Sequence, residues 1–153
     1  MPGSLEYRDV AVRVVGAACR LLRPHAAHAS RTSNDGGESP EVTPRAYPLD
    51  DFSTAVVSAF SEAFNNVAIH GYKNASRADL RRIDIEISAD DVEIVIVMRD
   101  WGNVYDPRAY AELPEELPER GMGVFILRSF VDDTSYEAGP PNVLTLKKKW
   151  STP

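Results

Sequence analysis

The chain has 153 residues, of which 43% are hydrophobic and 26% charged, with a formal net charge of -6. This composition suits one soluble domain over residues 1–153, and no run approaches the roughly 18 apolar residues of a membrane span. The acidic balance argues against a general nucleic-acid binder, because phosphate backbones are gripped by clustered Lys and Arg. One bound nucleotide can still be held by backbone N–H groups and a metal ion.

The N-terminus "MPGSLEYRDV" lacks the charged-then-apolar order of a signal peptide, so a cytoplasmic location with no membrane contact is expected. Residues 5–23 place Val10, Val14, Val15, Ala18, Leu21 and Leu22 at helical spacing, which predicts an amphipathic helix ending before Pro24. Cys19 lies in that helix and is the only cysteine. It excludes an intramolecular disulfide and reads as a core residue. Residues 25–49 are rich in Ser, Asn, Gly and Pro with no apolar period, and read as a long surface loop. His25 and His28 there have no third ligand nearby, and no Cys/His grouping has zinc-ligand spacing.

Residues 51–70 carry Phe52, Val56, Ala59, Phe60, Ala63 and Val67 on one stripe, with Asp50 or Ser53 as N-cap. "RIDIEISA" then alternates Ile83, Ile85 and Ile87 with polar residues, as a strand with one wet face does. "VEIVIVMRD" is apolar at nearly every position, which predicts a strand covered on both faces and paired with the first as a hairpin. Residues 101–122 hold three prolines and several acids and form a long connection. Residues 124–133 predict a short helix, and "DTSYEA" with "NVLTLKKKW" predicts a second hairpin turned at "GPPN", its lysines forming a solvated strand end. Strands joined by tight turns give a mainly antiparallel sheet with helices on one face, an α/β (α+β) two-layer sandwich.

Three features point to chemistry. In "SEAFNNVAIHGY", Glu62, Asn66 and His70 recur at intervals of four. Positions four apart on a helix lie one turn above each other, so Glu62 and Asn66 share the shoulder of the apolar stripe. There a carboxylate can take a proton and an amide oxygen can ligate Mg²⁺. The same pair is equally compatible with the half-exposed face of any amphipathic helix. In "MRDWGN", Asp100 ends an apolar strand and Gly102 follows. A carboxylate there can accept from an exocyclic amine, and a glycine lets a flat ring approach the backbone, although Asp-x-Gly is also an ordinary turn. In "ERGMGVFIL", Gly121 and Gly123 precede a helix whose first N–H groups can bind an anion, or which simply starts flexibly.

In combination these stretches resemble the GHKL, or Bergerat-fold, ATPases, and within them the bacterial anti-sigma-factor serine/threonine kinases. "SEAFNNVAIHGY" is similar to their N-box, "RDWGN" to the first glycine box and "RGMGVFILRSFVDD" to the second, from about residue 50 to residue 150. The resemblance implies ATP and Mg²⁺ as cofactors. It implies Glu62 as general base toward a substrate hydroxyl and Asn66 as the Mg²⁺ ligand. It further implies Asp100 as acceptor of the adenine amine beside Gly102, and Arg120, Gly121, Met122 and Gly123 around the phosphates. Residues 104–120 would be the ATP lid, with Arg120 or Arg108 near the γ-phosphate. His70 matches the motif's histidine, either as a ligand contact or as a brace for the helix end.

The partners implied are an anti-sigma-factor antagonist, which would be phosphorylated, a sigma factor, which would be captured, and a second copy of the chain in a homodimer. The fold as a docking module without catalysis is a second reading. The ATPase domain of a sensor kinase is a third, against which stands the absence of a dimerisation helix with a phospho-acceptor His. Two departures stand out. The family's strand before the first helix is not evident after Met1, and its Gly-Thr before the last strand is Pro141-Asn142, so no adenine contact is assigned there.

Overall fold

A computed structural model of the chain describes residues 1–24, 50–72, 82–104 and 127–150. Helix α1 spans Arg8–Leu21 and follows a 3₁₀ turn at Leu5–Tyr7; helix α2 spans Asp51–Asn66. A π-helical segment, Val67–Gly71, continues α2. Strands β1 (Ile83–Ala89), β2 (Glu93–Asp100), β3 (Asp133–Glu137) and β4 (Asn142–Lys149) complete the described elements.

The expected stripe of α2 is the centre of the core. Phe52, Val56, Ala59, Phe60, Ala63 and Val67 are all buried, joined by Phe64. Replacing Phe60 or Phe64 by Ala would remove a filled aromatic volume, at a cost of about 3–5 kcal/mol. The helix start is capped by Asp50, whose Oδ1 accepts from the Ser53 N–H at 2.8 Å. Arg23, just past α1, pairs with the same carboxylate. Burial pushes the Asp50 carboxyl up, but the Ser53 bonds and Arg23 outweigh it and hold the group below its ordinary value.

Helix α1 buries a different face from the one its valines suggest. Ala11, Val15, Gly16 and Cys19 turn inward, whereas Val10 and Val14 are each 56% and Leu21 83% exposed. The inward positions are mostly small, which lets α1 pack closely on α2, and Val10 and Val14 instead flank a groove toward Ile85 and Ile87 of β1. Cys19 is buried as expected, and burial pushes its thiol up to about 11.

The four strands are antiparallel in the order β1-β2-β4-β3. Ile94, Ile96 and Met98 of β2, Leu144 and Leu146 of β4, and Tyr136 of β3 are buried on the face beneath the helices. The expectation that β2 is covered on both faces is not met. Val95, Val97 and Arg99 on the other face are only half-buried, and Arg99 reaches Glu86 of β1 at 2.9 Å, so that face is partly wet. The helix expected over 124–133 ends by residue 130 among the described residues. Asp132 is drawn to the sheet, its N–H donating to the Lys147 carbonyl and its carboxylate accepting from the Lys149 N–H. Before α1, Pro2 forms one antiparallel bridge with Arg82, and Met1 exchanges backbone hydrogen bonds with Ile83. In place of the strand that the resembled family carries before its first helix, which is not evident in the sequence, there is a single bridge on the β1 edge. No described helix is long and apolar enough to cross a membrane.

Candidate functional site

The register of the two central strands decides where polar groups collect. β2 and β4 pair so that Asp100 lies opposite Asn142, in phase with the buried pair Met98 and Leu144 two residues along. Both residues therefore end up beneath the helices, Asp100 7% and Asn142 1% exposed. A carboxylate in that position needs donors. The Gly102 N–H supplies one at 2.8 Å and Asn142 Nδ2 another at 3.0 Å, both to Oδ1. Among the described residues nothing hydrogen-bonds Oδ2. Burial pushes the Asp100 carboxyl above its ordinary value, against the opposing pull of Asn142 and the Gly102 N–H.

The end of α2 meets this strand end closely. A Cβ on Gly102 would fall 2.5 Å from the Gly71 carbonyl oxygen, and the Asn103 N–H donates to that same oxygen at 2.7 Å. The space beside Gly102 is therefore filled by the backbone of Gly71, and the glycine answers to helix–strand packing where the sequence suggested room for a ring. Tyr72 ties the junction further. Its hydroxyl donates to the Arg82 carbonyl and accepts from the Trp101 N–H at 3.1 Å, joining the start of β1 to the exit of β2.

Between α2, residue 127 and the strand ends lies a narrow cleft with about 20 Å³ of free space, the room of about one water. Its walls are Ala63, Val67, Leu127 and Leu144, and Asn66, Asp100, Asn103 and Tyr136 bring polar groups to it. An apolar slot with one carboxylate on its floor offers the chemistry that a flat ring carrying an amine donor requires, and its walls would have to part to admit one.

Along α2 the polar groups are less satisfied. Asn66 Nδ2 and Asn65 Oδ1 are buried without hydrogen-bond partners. A buried polar atom left unpaired costs about 1–3 kcal/mol, so the Asn66 amide has a hydrogen bond to offer. A half-turn of the amide presents its oxygen instead, the donor type that Mg²⁺ takes. Among the described residues no cluster of three or more His, Cys, Asp or Glu could hold a metal. A magnesium ion bound mainly by phosphates and water needs no such cage.

Glu62 is not in this cleft. It lies one turn before Asn66, about 5.4 Å along the axis, and lines a separate concavity with Arg8, Ser58, Ser61 and Phe130. His70 is exposed in the π-helical segment. Arg108, Arg120, Gly121, Met122 and Gly123, and with them most of the expected lid, lie outside the described residues. The structure thus gathers Asn66, Asp100, Gly71 and Asn103 around one cleft and sets Glu62 outside it.

The sequence profile of the histidine kinase-like ATPase domain matches residues 11–148, from α1 through β4. The chain belongs to that family. As a histidine kinase-like ATPase domain, it carries its cleft within the matched region, and ATP is the ligand that membership implies. Among its relatives, the anti-sigma F factor of Clostridium beijerinckii is 32% identical over 118 residues, covering 72% of this chain and 78% of that protein. The anti-sigma F factor of Bacillus licheniformis is 31% identical over 98 residues, and the match covers 61% of this chain and 65% of that protein's length. The serine-protein kinase RsbW of Staphylococcus aureus is 30% identical over 108 residues, covering 65% of this chain and 66% of that protein.

Two residues that brace the floor of this ATPase domain's cleft from behind are not evident from the sequence alone. Asn142 carried a signal, since it is in phase with Leu144 and Leu146 and a buried amide at the end of a strand needs partners. Tyr72 carried none, because its partners are the backbone of two other segments.

Proposed function

We propose that the chain is an ATP- and Mg²⁺-dependent serine/threonine kinase that acts as an anti-sigma factor, phosphorylating an antagonist protein and binding a sigma factor. The observation that carries this reading is the buried Asp100, braced on Oδ1 and with Oδ2 unbonded among the described residues, at the floor of an apolar cleft in a histidine kinase-like ATPase domain whose relatives include anti-sigma factors and a serine-protein kinase. Asp100 would accept from the adenine amine, with Val67 and Leu144 on either side of the ring. Asn66, whose amide is otherwise unpartnered, would hold Mg²⁺. Bound there, the ion would neutralise phosphate charge and fix the phosphates' geometry.

Glu62 would act as the general base. A carboxylate one turn before Asn66, in its own open concavity, would let a protein hydroxyl reach it without entering the base cleft. Arg120 to Gly123 would supply donors to the phosphates at the start of the following helix. Phosphoryl transfer rests on alignment and charge neutralisation, so a base, a metal ligand and N–H donors suffice.

Calorimetric titration with ATP, with and without Mg²⁺, tests the reading. Saturable binding strengthened by Mg²⁺ is the expected result, retained in Glu62→Ala. An unmutated chain that binds no ATP under either condition would sink the kinase assignment.

A further inference from the structure

The floor of the cleft contains an amide that can sit only one way round. Asn142 Oδ1 accepts from the Gly139 N–H at 3.2 Å, while Nδ2 donates to Asp100 Oδ1 at 3.0 Å and to the Gly102 carbonyl at 3.2 Å. Turning the amide over would set its oxygen against a carboxylate oxygen and a carbonyl, and its NH₂ against an N–H. All three contacts would be repulsive in a site where water cannot relieve them. The donor end is thereby committed to Asp100.

This commitment matters because a carboxyl group can play two opposite parts. Ionised, it is acceptor-only; protonated, it can donate. A purine with an exocyclic amine needs an acceptor opposite that amine. Gly102 supplies one donor to Oδ1 through its backbone, which no side-chain change removes, and Asn142 supplies the other. Building on the nucleotide-binding reading above, we infer that Asn142 is the positioning residue for base selection: by occupying Asp100 Oδ1 it keeps Oδ2 an acceptor, so that the cleft prefers a purine carrying an amine over one that lacks it.

The pH dependence follows with its sign. Burial already pushes the Asp100 carboxyl up and the Asn142 donor opposes this, so losing that donor moves protonation to still higher pH. Among the described residues the other ionisable groups facing Asp100 are Tyr72, from the end of the α2 continuation, and Tyr136, across the cleft on β3. Burial pushes the Tyr72 hydroxyl further up, and Asp100 adds to this.

The test is calorimetric affinity, at fixed Mg²⁺, for ATP and for purine riboside triphosphate, which is ATP without the amine. The unmutated chain should prefer ATP by about tenfold or more, the range of a hydrogen bond to a charged group. Asn142→Leu should lower that preference to about twofold or less, while its affinity for purine riboside triphosphate changes by less than about twofold. A general loss of structure would weaken both ligands together. An Asn142→Leu chain that folds and keeps the full preference overturns the inference.

Asn142→Asp keeps the shape and the Gly139 contact, and decides the matter if the leucine variant does not fold. When the two facing carboxyls share a proton the donor is restored, and when both ionise they repel. Repulsion between the two ionised carboxylates would turn Asp100 Oδ2 away from the amine, so preference for ATP should be present near about pH 5.5 and weaker near about pH 8.5, opposite to the unmutated chain, in which acid weakens it by protonating Asp100. A preference in that variant that does not move with pH overturns the proposal. An unmutated chain that binds neither triphosphate overturns the nucleotide reading itself, and the inference with it.

Discussion

The two ends of the cleft solve opposite problems. At the strand end, Asp100, Gly102, Asn142 and Gly139 are linked by hydrogen bonds within the protein and Tyr72 holds the neighbouring Trp101 N–H, so the acceptor is set before any ligand arrives. Along α2, the half-buried Asn65 and Asn66 each carry one buried, unpaired polar atom, and Glu62 opens into a different concavity. The difference is one of division of labour. On the proposed reading the fold would preorganise the base end, lowering the cost of ordering on binding, and the ligand would complete the α2 end.

The largest expected effect breaks the α2 end chemically. Glu62→Gln should lower phosphoryl transfer to a protein hydroxyl by about 10²–10⁴-fold, the range of general-base catalysis, with ATP affinity unchanged by calorimetry. A loss of ATP binding in that variant would mean that Glu62 belongs to the binding site and not to the reaction.

Next in size is Asp100→Asn, which separates function from stability at the braced end. Gly102 and Asn142 would hold the new amide's oxygen, turning its NH₂ toward the adenine amine, and ATP affinity should fall by about a hundredfold. Stability should change in the other direction. A carboxyl whose folded value is raised favours the native state only at low pH and opposes it as pH rises through the folded value. The neutral amide removes that opposition, so Tm at neutral pH should increase. A lower Tm would show that the ionised form of Asp100 is itself part of the brace.

Tyr72→Phe sharpens the comparison without touching the ligand. It leaves the Trp101 N–H and the Arg82 carbonyl without their partner, at a cost of about 1–3 kcal/mol read by denaturant unfolding. Asn66→Ala should do the reverse. It should lower Mg²⁺-dependent ATP affinity by about tenfold while leaving stability nearly unchanged, because its buried Nδ2 bonds nothing in the free protein. The smallest effect lies away from the cleft. Asp50→Ala removes the N-cap of α2 for about 1 kcal/mol. Because the folded Asp50 value is lowered, its contribution is present above the ordinary carboxylate range and fades as pH falls through the folded value. The difference between the unmutated chain and this variant should therefore shrink in acid unfolding curves.

Much of the scaffold was legible because it is local. The α2 stripe, the alternation of β1 and the turn between β3 and β4 are each properties of a single segment, and each stands where the sequence puts it. Helix α1 was legible as a helix but not in its facing. Val10, Val14 and Leu21 make one plausible apolar stripe and Ala11, Val15 and Cys19 another, and only the closeness of α2 selects the second. In β2 the aliphatic residues of the open face read as a second buried face, although Val95 and Val97 are no more than half-covered.

By itself the sequence determined the order of elements, the positions of the core stripe and the stretches in which chemistry would be found, because hydrophobic period and residue type act within one turn or one strand. Tertiary structure alone decided which of those residues meet. Asp100 and Asn142 are 42 residues apart and face each other only because β2 and β4 pair in that register. Gly102 is a glycine because of Gly71, not because of anything beside it in the chain. Glu62 and Asn66 share a helical face, yet packing against α1 and the strand ends assigns them to different concavities. Periodicity carries information along a segment, whereas a site depends on distances between segments, and those are fixed only when the core closes.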